Sequence, residues 1–598
     1  MKLSRLYCNK PDFFGPIDFR DGINVILAEI RLPENQGKDT HNLGKSTLSQ
    51  LLDFMFLLGK DPAFFLFKHF DHFKDFVFYL EIEVEPESYL TIRRSIGDAT
   101  RIAFLRHLTP GQDYSTAPDS AWSHTNVPFE RAKELLDGLL GWQVIKPWSY
   151  RKEIGYLLRS QEDYRDVFHI KKAAFAHSDW KPFLASLIGF DGSLVAAHYK
   201  LEDHLADLRN TATLLRGELP MSVEDVGKID GLLLLKEADA AKKQQLLNAF
   251  DFRSEDKQKT KVLVDDIDSR ISELNSQRYS LQRARKKVVV ALQEDQILFD
   301  PSEAKKLFEE AGVTFADSLR KDFEQLIAFN KAITAERQGY LLEERSEIDL
   351  QLKQISSELN TLGKRRADAL SFLSATDAFE KYRAISDELV TIRADLISLG
   401  RQRDQLHRLS EIRSDIRRID QEIDIAKVAI EADVVAQNSN SESRFSKLRI
   451  HFSDFIDQVI DRKALLSVSL NREGHLDFSA EILGDSGQST SADFGHTYRK
   501  LLCIAFDLAV LRAHIQDRFP RFVYHDGVFE SLDDRKKLNL MRVVRDYASL
   551  GLQPMITLID SDISHLRTSV EPMFDESEIV VRLHDEGDAG RLFRLPSW

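Results

Sequence analysis

Cysteine occurs only twice in the 598 residues, at Cys8 and Cys503. Two thiols supply neither a disulfide framework nor a Cys-x-x-Cys zinc site, and that usage fits a reducing cytoplasm. No uncharged apolar run of about 18 residues occurs, so a membrane span is not expected. The start, Met1 to Tyr7, is too poor in apolar residues for a signal peptide. A general excess of base is missing as well. The formal net charge of −14 argues against a protein that coats nucleic acid over its whole surface, so any such contact is local. Proline nearly vanishes between 191 and 440, where only Pro220 and Pro301 occur. A long helical insertion is the simplest cause of that gap.

At this length two to four folding units are expected. Hydrophobic content of 43% and charged content of 30% fit a protein with long, charge-laced helices. The stretch Asp39-Thr40-His41-Asn42-Leu43-Gly44-Lys45-Ser46-Thr47 follows an apolar strand, Ile23 to Leu27. It precedes a helix in which Leu48, Leu51, Leu52, Met55 and Leu58 recur at helical spacing. Strand, Gly-Lys-Ser loop and helix together are the setting of a phosphate cradle. Backbone N–H groups and the lysine hold phosphates, and the serine hydroxyl ligates magnesium. Asp39 stands where such loops usually begin with glycine, and a helix cap with a solvated lysine is the plainer alternative.

Residues 1–190 read as an α/β half-domain. Phe76 to Val84 and Tyr89 to Arg94 alternate as a hairpin, and 107–128 reads as a surface loop. Gln161, in Arg159-Ser160-Gln161-Glu162-Asp163-Tyr164, could join a magnesium shell or simply end a polar loop. Between 191 and 440 apolar residues alternate at three and four. They fall at Ile267, Ile271, Leu274, Leu281, Val288 and Leu292, then at Ile348, Leu352, Ile355, Leu359 and Leu362. The stripe returns at Ile385, Leu389, Ile392, Leu396 and Leu399, and shifted at Ile412, Ile416, Ile419 and Ile423. This is coiled-coil patterning, with breaks expected near Pro301, 372–377 and 406–412. A compact helical bundle is the alternative. Without Cys-x-x-Cys, a zinc hook at its tip is excluded.

From 441 to 598 the α/β character resumes. An amphipathic helix is expected over Phe445 to Ile460, paired strands over Leu465 to Leu470 and Leu476 to Leu483, and an apolar helix over Arg499 to Ala513. Phe522 to His525 runs into Asp526, an acid at a strand end suited to magnesium. Met555 to Asp560 repeats that pattern, and Val580 to Leu583 with Leu592 to Leu595 is expected to form a closing hairpin.

The order of Gly44-Lys45-Ser46-Thr47, Arg159 to Tyr164, Tyr498 to Ala509 and Tyr524 to Asp533 around a helical insertion resembles the ABC-type ATPases of the SMC, RecN and SbcC class. Their α/β head is formed by both chain ends and split by an antiparallel α-helical coiled-coil arm. The wording is most similar to the ATPase of bacterial three-component ABC antiphage defence systems, and Leu307 to Gly312 in the arm also fits that group. The resemblance implies ATP and Mg²⁺ as cofactors, with Asn42, Leu43, Gly44, Lys45, Ser46 and Thr47 in the Walker A loop. It also implies Gln161 as Q-loop residue, Asp526 as Walker B carboxylate, Asp493, Gly495 and His496 in the signature segment, and Asp533 in the D-loop. Ser46, Gln161 and Asp526 would share the metal.

Three departures bear on hydrolysis. Gly527 replaces the expected glutamate, for which Glu530 is the candidate substitute. Asp493-Phe494-Gly495-His496 replaces Ser-Gly-Gly-Gln, and Ile559-Asp560 stands where a switch histidine belongs. The resemblance further implies a homodimer through the heads, double-stranded DNA (ends or unusual structures) as ligand, and operon-encoded companion subunits including an effector nuclease. Basic clusters at 283–287, 364–366 and 413–418 would serve DNA, or else pair with neighbouring acids as a solvated flank. A RecN-like repair ATPase and a nucleotide-gated scaffold with little hydrolysis are the alternative readings.

Overall fold

The computed structural model describes residues 1–32, 43–170, 176–219, 225–249, 255–294, 317–371, 377–484, 495–563 and 574–596. Asp39, Asn42, Leu307 to Gly312 and Asp493 lie outside the described residues. The chain divides into two compact units. Met1–Leu205 with Ile419–Trp598 forms one, and Ala206–Arg418 the other. Both chain ends therefore build a single α/β head, as expected. No helix among the described residues is long and apolar enough to cross a membrane.

The head contains two large sheets. The first runs in the order β2 (Ile17–Asp18), β1 (Lys2–Cys8), β4 (Val77–Glu85), β5 (Ser88–Ser95), β6 (Arg101–His107), β7 (His124–Pro128), with every pair antiparallel. The β4–β5 hairpin is the one expected from alternation. The segment 107–128, expected as loop, ends in β7, where Pro128 and Val127 pair with Arg101 and Ile102. Its polar sequence suits an exposed edge strand, which has one neighbour and one free side.

The second sheet joins the chain ends in the order β13 (Ile579–His584), β3 (Asn24–Glu29), β12 (Gln553–Ile559), β11 (Phe522–His525), β8 (Leu158–Arg159), all parallel. All six residues of β3 are buried. That is the pattern of a parallel strand covered on both faces. The expected closing hairpin does not form. Ile579–His584 pairs parallel with β3, while the Leu592 and Arg594 amides donate to the carbonyls of Leu43 and Phe13. Leu592, Phe593 and Leu595 are buried in the head core, so their apolar character serves packing rather than strand pairing.

Helix α1 (Lys45–Met55) follows β3, and α2 (Phe129–Leu140), α3 (Arg151–Leu157) and α4 (His177–Ile188) complete the N-terminal half. In the C-terminal half, the amphipathic helix expected near 445–460 is Arg444–Ile460, opened by the Ser443 hydroxyl accepting the Ser446 amide. It precedes the separate hairpin of β9 (Ala464–Leu470) and β10 (Leu476–Ile482).

The arm is the antiparallel helical insertion expected, with a finer arrangement. Its helices are α5 (Gly192–Glu218), α6 (Val226–Ala249), α7 (Glu255–Glu294), α8 (Asp317–Ser371) and α9 (Asp377–Ser439), and the unit boundaries fall inside α5 and α9. Lys236–Asp395 at 2.7 Å and Lys243–Glu388 align α6 antiparallel to α9. Arg270–Glu358 at 3.1 Å and Arg285–Asp349 at 2.5 Å align α7 antiparallel to α8. The Ser386 hydroxyl on Asp268 and the Ser272 hydroxyl on the Val390 carbonyl lay α7 alongside α9. The anticipated break at 406–412 does not interrupt α9. The stripe shifts within one packed cluster: Leu396, Leu399, Leu406 and Leu409 all pack with Leu219, Ile229 and Leu233.

The helix Arg444–Ile460, α10, also carries a test of the head. His451 has a buried Nδ1 without a hydrogen-bond partner among the described residues, and burial, followed by the nearby Arg512 cation, lowers its pKa to about 4. The unfolded chain therefore takes up this proton first. The contribution to stability is full above about pH 6.5 and is lost as pH falls towards 4. Thermal melts of His451→Gln should lose less stability across that window than wild type, and equal losses would remove His451 as a cause.

Candidate functional site

The crevice lies where parallel strands end. β3, β8, β11 and β12 share one direction, so the residues following them emerge at the same edge of the sheet, where α/β proteins bind ligands. Lys45 opens α1 after Gly44, whose φ of 104° lies in the left-handed region. A β-carbon at Gly44 would also come within 2.7 Å of Leu592, so both conformation and space call for glycine. The Tyr524 hydroxyl donates to the Lys45 carbonyl at 2.7 Å, tying the start of α1 to β11.

Lys45 is only 4% exposed, yet its Nζ has no hydrogen-bond partner among the described residues. Burial lowers its pKa, against the fields of Asp526, Glu530 and Asp562, which raise it. Beside it, the Ser46 hydroxyl donates to Asp526 Oδ2 at 2.5 Å. The Thr557 hydroxyl donates to Asp526 Oδ1 at 2.6 Å and accepts the Gly527 amide at 2.7 Å. An orphaned buried ammonium at a helix start, next to a hydroxyl and a carboxylate, fits a phosphate chain and a divalent ion. Ser46 Oγ and Asp526 are the oxygens that would hold the metal.

The turn after Asp526 folds back on itself. Gly527 has φ 64° and Ser531 φ 68°. Gln161, first residue of the short 3-10 turn Gln161–Arg165 after β8, donates its amide to Glu530 Oε1 at 2.5 Å. A β-carbon on residue 527 would stand 2.6 Å from Gln161 Nε2 and 2.8 Å from Glu530 Oε1. The Glu530 carboxylate thus fills the space into which a side chain at 527 would grow.

Lys500, in helix α11 (His496–Ala513), completes the turn. Its ammonium donates to the Gly527 carbonyl at 2.7 Å and lies 3.7 Å from Glu530 Oε2. Lys500, like Lys45, has its pKa lowered by burial, with Glu530 opposing. Behind this layer Arg159 and Asp507 form a fully buried ion pair with two contacts of 2.8 Å, and His525 Nε2 meets the same carboxylate at 3.0 Å. His525 is thus a structural partner of Asp507.

Of the residues expected at the site, Lys45, Ser46, Gln161, Asp526 and Glu530 converge. Leu43 is buried and accepts the Leu592 amide through its carbonyl, and Thr47 sits half-buried in the first turn of α1. Gly495 and His496 are exposed at the start of α11. Asp533 caps helix α12 (Asp534–Ser549) by accepting the Lys536 amide at 3.0 Å and pairs with the Lys536 ammonium, so its carboxylate is committed there. Lys500, Thr557 and Asp507 belong to the site without being expected there from the sequence. A lysine, a threonine and an aspartate inside apolar elements were the available signal, because such groups are buried only with partners.

The sequence model of an uncharacterised protein family conserved in bacteria (DUF2326) matches residues 455–597, less than a quarter of the chain. No curated protein matches the sequence. Among solved structures, the chain is similar to the Smc head domain with a coiled coil and joint from Pyrococcus yayanosii. The identity is 13%, coverage is 94% of this chain and 93% of that one, and the TM-score is 0.34. It is also similar to the Smc head domain with an extended coiled coil, bound to the C-terminal domain of ScpA, from Pyrococcus furiosus. There the identity is 12%, the coverage 94% and 91%, and the TM-score 0.30. These are loose superpositions, and the architecture of the chain stands on its own strand order and helices.

Removing one side of a buried ion pair leaves an uncompensated charge in the interior, at a cost of about 3–5 kcal/mol. Asp507→Ala should lose about that much in urea unfolding, and a loss below about 1 kcal/mol would show that water reaches Arg159.

Proposed function

We propose that the chain binds Mg²⁺·ATP through Lys45, Ser46 and Asp526 and hydrolyses it with Glu530 as the water-orienting carboxylate. The observation that carries this reading is the buried Lys45 ammonium without a partner, facing Asp526 and Glu530 at the start of a helix. Lys45 supplies positive charge to the terminal phosphates, and the α1 amides add the partial charge of a helix start. Bound magnesium would offset charge on the phosphate oxygens. Glu530, held by Gln161 and Lys500, accepts a proton from water as the water oxygen bonds to the γ-phosphorus. The bond from that phosphorus to the bridging oxygen breaks, leaving ADP and phosphate.

The family resemblance extends this reading to heads that pair around ATP, with Gly495 and His496 of one copy meeting the nucleotide of the other, and to DNA held by the arm. In support, Arg283, Lys287 and Arg401 line one open cleft of about 350 Å³ in the arm with Tyr279, although Glu218 and Glu344 line it too. Arg366 is committed elsewhere, 2.7 Å from buried Asp268, and so is no candidate for phosphate. Control of an effector nuclease in antiphage defence, through operon-encoded companions, and DNA-break repair both rest on the resemblance alone. Gly527 favours a second reading, a nucleotide-gated scaffold with little turnover.

ATP hydrolysis by wild type, Lys45→Ala and Glu530→Gln, with and without linear double-stranded DNA, separates these readings. Turnover that falls at least about 100-fold in both variants supports Glu530 as the base. ATP binding with no turnover in wild type supports the scaffold. Gly527→Ala should displace Glu530 and lower turnover while ATP affinity changes less than about threefold, because its added carbon meets Gln161 and Glu530 rather than Lys45. Equal activity of Gly527→Ala and wild type would rule out that placement of Glu530.

A further inference from the structure

A second cluster of chemistry-bearing side chains lies in the head and plays no part in the nucleotide reading. His198 and Glu202 stand one turn apart on α5, which places them on one face of the helix. His475 enters from the turn between β9 and β10. Asn471 holds that turn: its Oδ1 accepts the amides of Glu473 and His475 at 3.0 Å, and its backbone N–H donates to the His475 carbonyl at 2.9 Å. Gly474, with φ 87°, makes the reversal, and the stem of Lys427 packs where a β-carbon would go. The His475 ring is therefore placed by its own turn and by Tyr199, which stacks on it at 4.8 Å and 11°.

Four buried polar atoms of this cluster have no hydrogen bond among the described residues. The His198 side chain is fully buried, and among the described residues neither of its ring nitrogens has a hydrogen bond. His475 Nδ1 and the Tyr199 hydroxyl are likewise buried without one. Glu202 offers one oxygen 3.7 Å from His198 Nε2 and the other 3.5 Å from His475 Nε2. One ligand atom from each of the three residues lies within 4.8 Å of the others. Such separations are at or beyond the limit of a good hydrogen bond. The 3.7 and 3.5 Å separations, made by the two different Glu202 oxygens, exceed the edges of about 3.3–3.4 Å of a tetrahedron around an ion bound at 2.0–2.1 Å, so small side-chain rotations would bring the three groups onto one ion. Two imidazoles and one carboxylate form a borderline-soft set suited to a divalent transition ion, with a fourth position left for water.

We propose that His198, Glu202 and His475 form a zinc site that ties the first turns of α5 to the β9–β10 hairpin. The ion takes one nitrogen of each imidazole and offsets the charge of Glu202. It joins segments more than 270 residues apart in sequence, 475 − 202 = 273, so it stabilises the folded head only. It lies within the head on elements that supply none of the nucleotide-site residues, so it is separate from the nucleotide site.

The test uses the full chain without a polyhistidine tag. After dialysis against zinc and then against metal-free buffer, wild type should retain about one zinc per chain by elemental analysis. Its melting temperature should rise with zinc and fall with chelator. The double variant Glu202→Gln/His475→Gln leaves His198 in place and so spares the most buried position. It should bind zinc at least about tenfold more weakly and lose the zinc-dependent shift while melting near the wild-type temperature in chelator. Cobalt substituted for zinc should give intense visible bands of a four-coordinate ion in wild type alone. Zinc content below about 0.1 per chain in wild type, or equal zinc-dependent shifts in wild type and the double variant, would overturn the site.

Discussion

The buried ion pair between Arg159 and Asp507 is the contact on which the head depends most. A guanidinium taken out of water is tolerated only when each of its N–H groups finds an acceptor. Arg159 meets that condition with Asp507 and with the carbonyls of Asp163, Asp166 and Val167. The same bonds shape the turn that begins at Gln161 and join strand β8 to helix α11 from the other end of the chain. Asp507 in turn engages His525, one residue before Asp526. One buried pair thus fixes both the residue that reaches Glu530 and the strand that delivers Asp526.

In front of this layer the chemistry depends on backbone shape. The left-handed Gly527 turns the chain so that the carboxylate of Glu530 comes back over residue 527, next to Asp526 in the chain. Gln161 and Lys500 then hold Glu530 from two sides. Lys500 also binds the Gly527 carbonyl, so the ammonium that balances Glu530 is part of the turn that presents it. A longer side chain at 527 and this placement of Glu530 exclude one another on space alone.

The arm shows a different balance. Its interior holds Asp268, Ser272, Ser276 and Ser386 among apolar residues. Asp268 meets Arg366 at 2.7 Å and the Ser386 hydroxyl at 2.5 Å, and its pKa is nonetheless raised, because burial outweighs those partners. Polar groups placed in this way favour one register of packed helices over slid alternatives. They align α7, α8 and α9 where an apolar stripe by itself would allow several pairings.

The sequence by itself determined the division into α/β ends and a helical middle, because hydrophobic period and proline content are local properties. It also determined the strand–loop–helix around Lys45 and the acid following β11, since each is written in a few consecutive residues. Only the tertiary structure decided that Leu592 to Leu595 pack rather than pair, and that the stripe near 406 shifts without ending a helix. The same holds for Lys500, Thr557 and Asp507, and for the meeting of His198, Glu202 and His475. Their partners lie tens to hundreds of residues away. Burial and pairing over such distances arise from packing, and a local pattern carries no record of them.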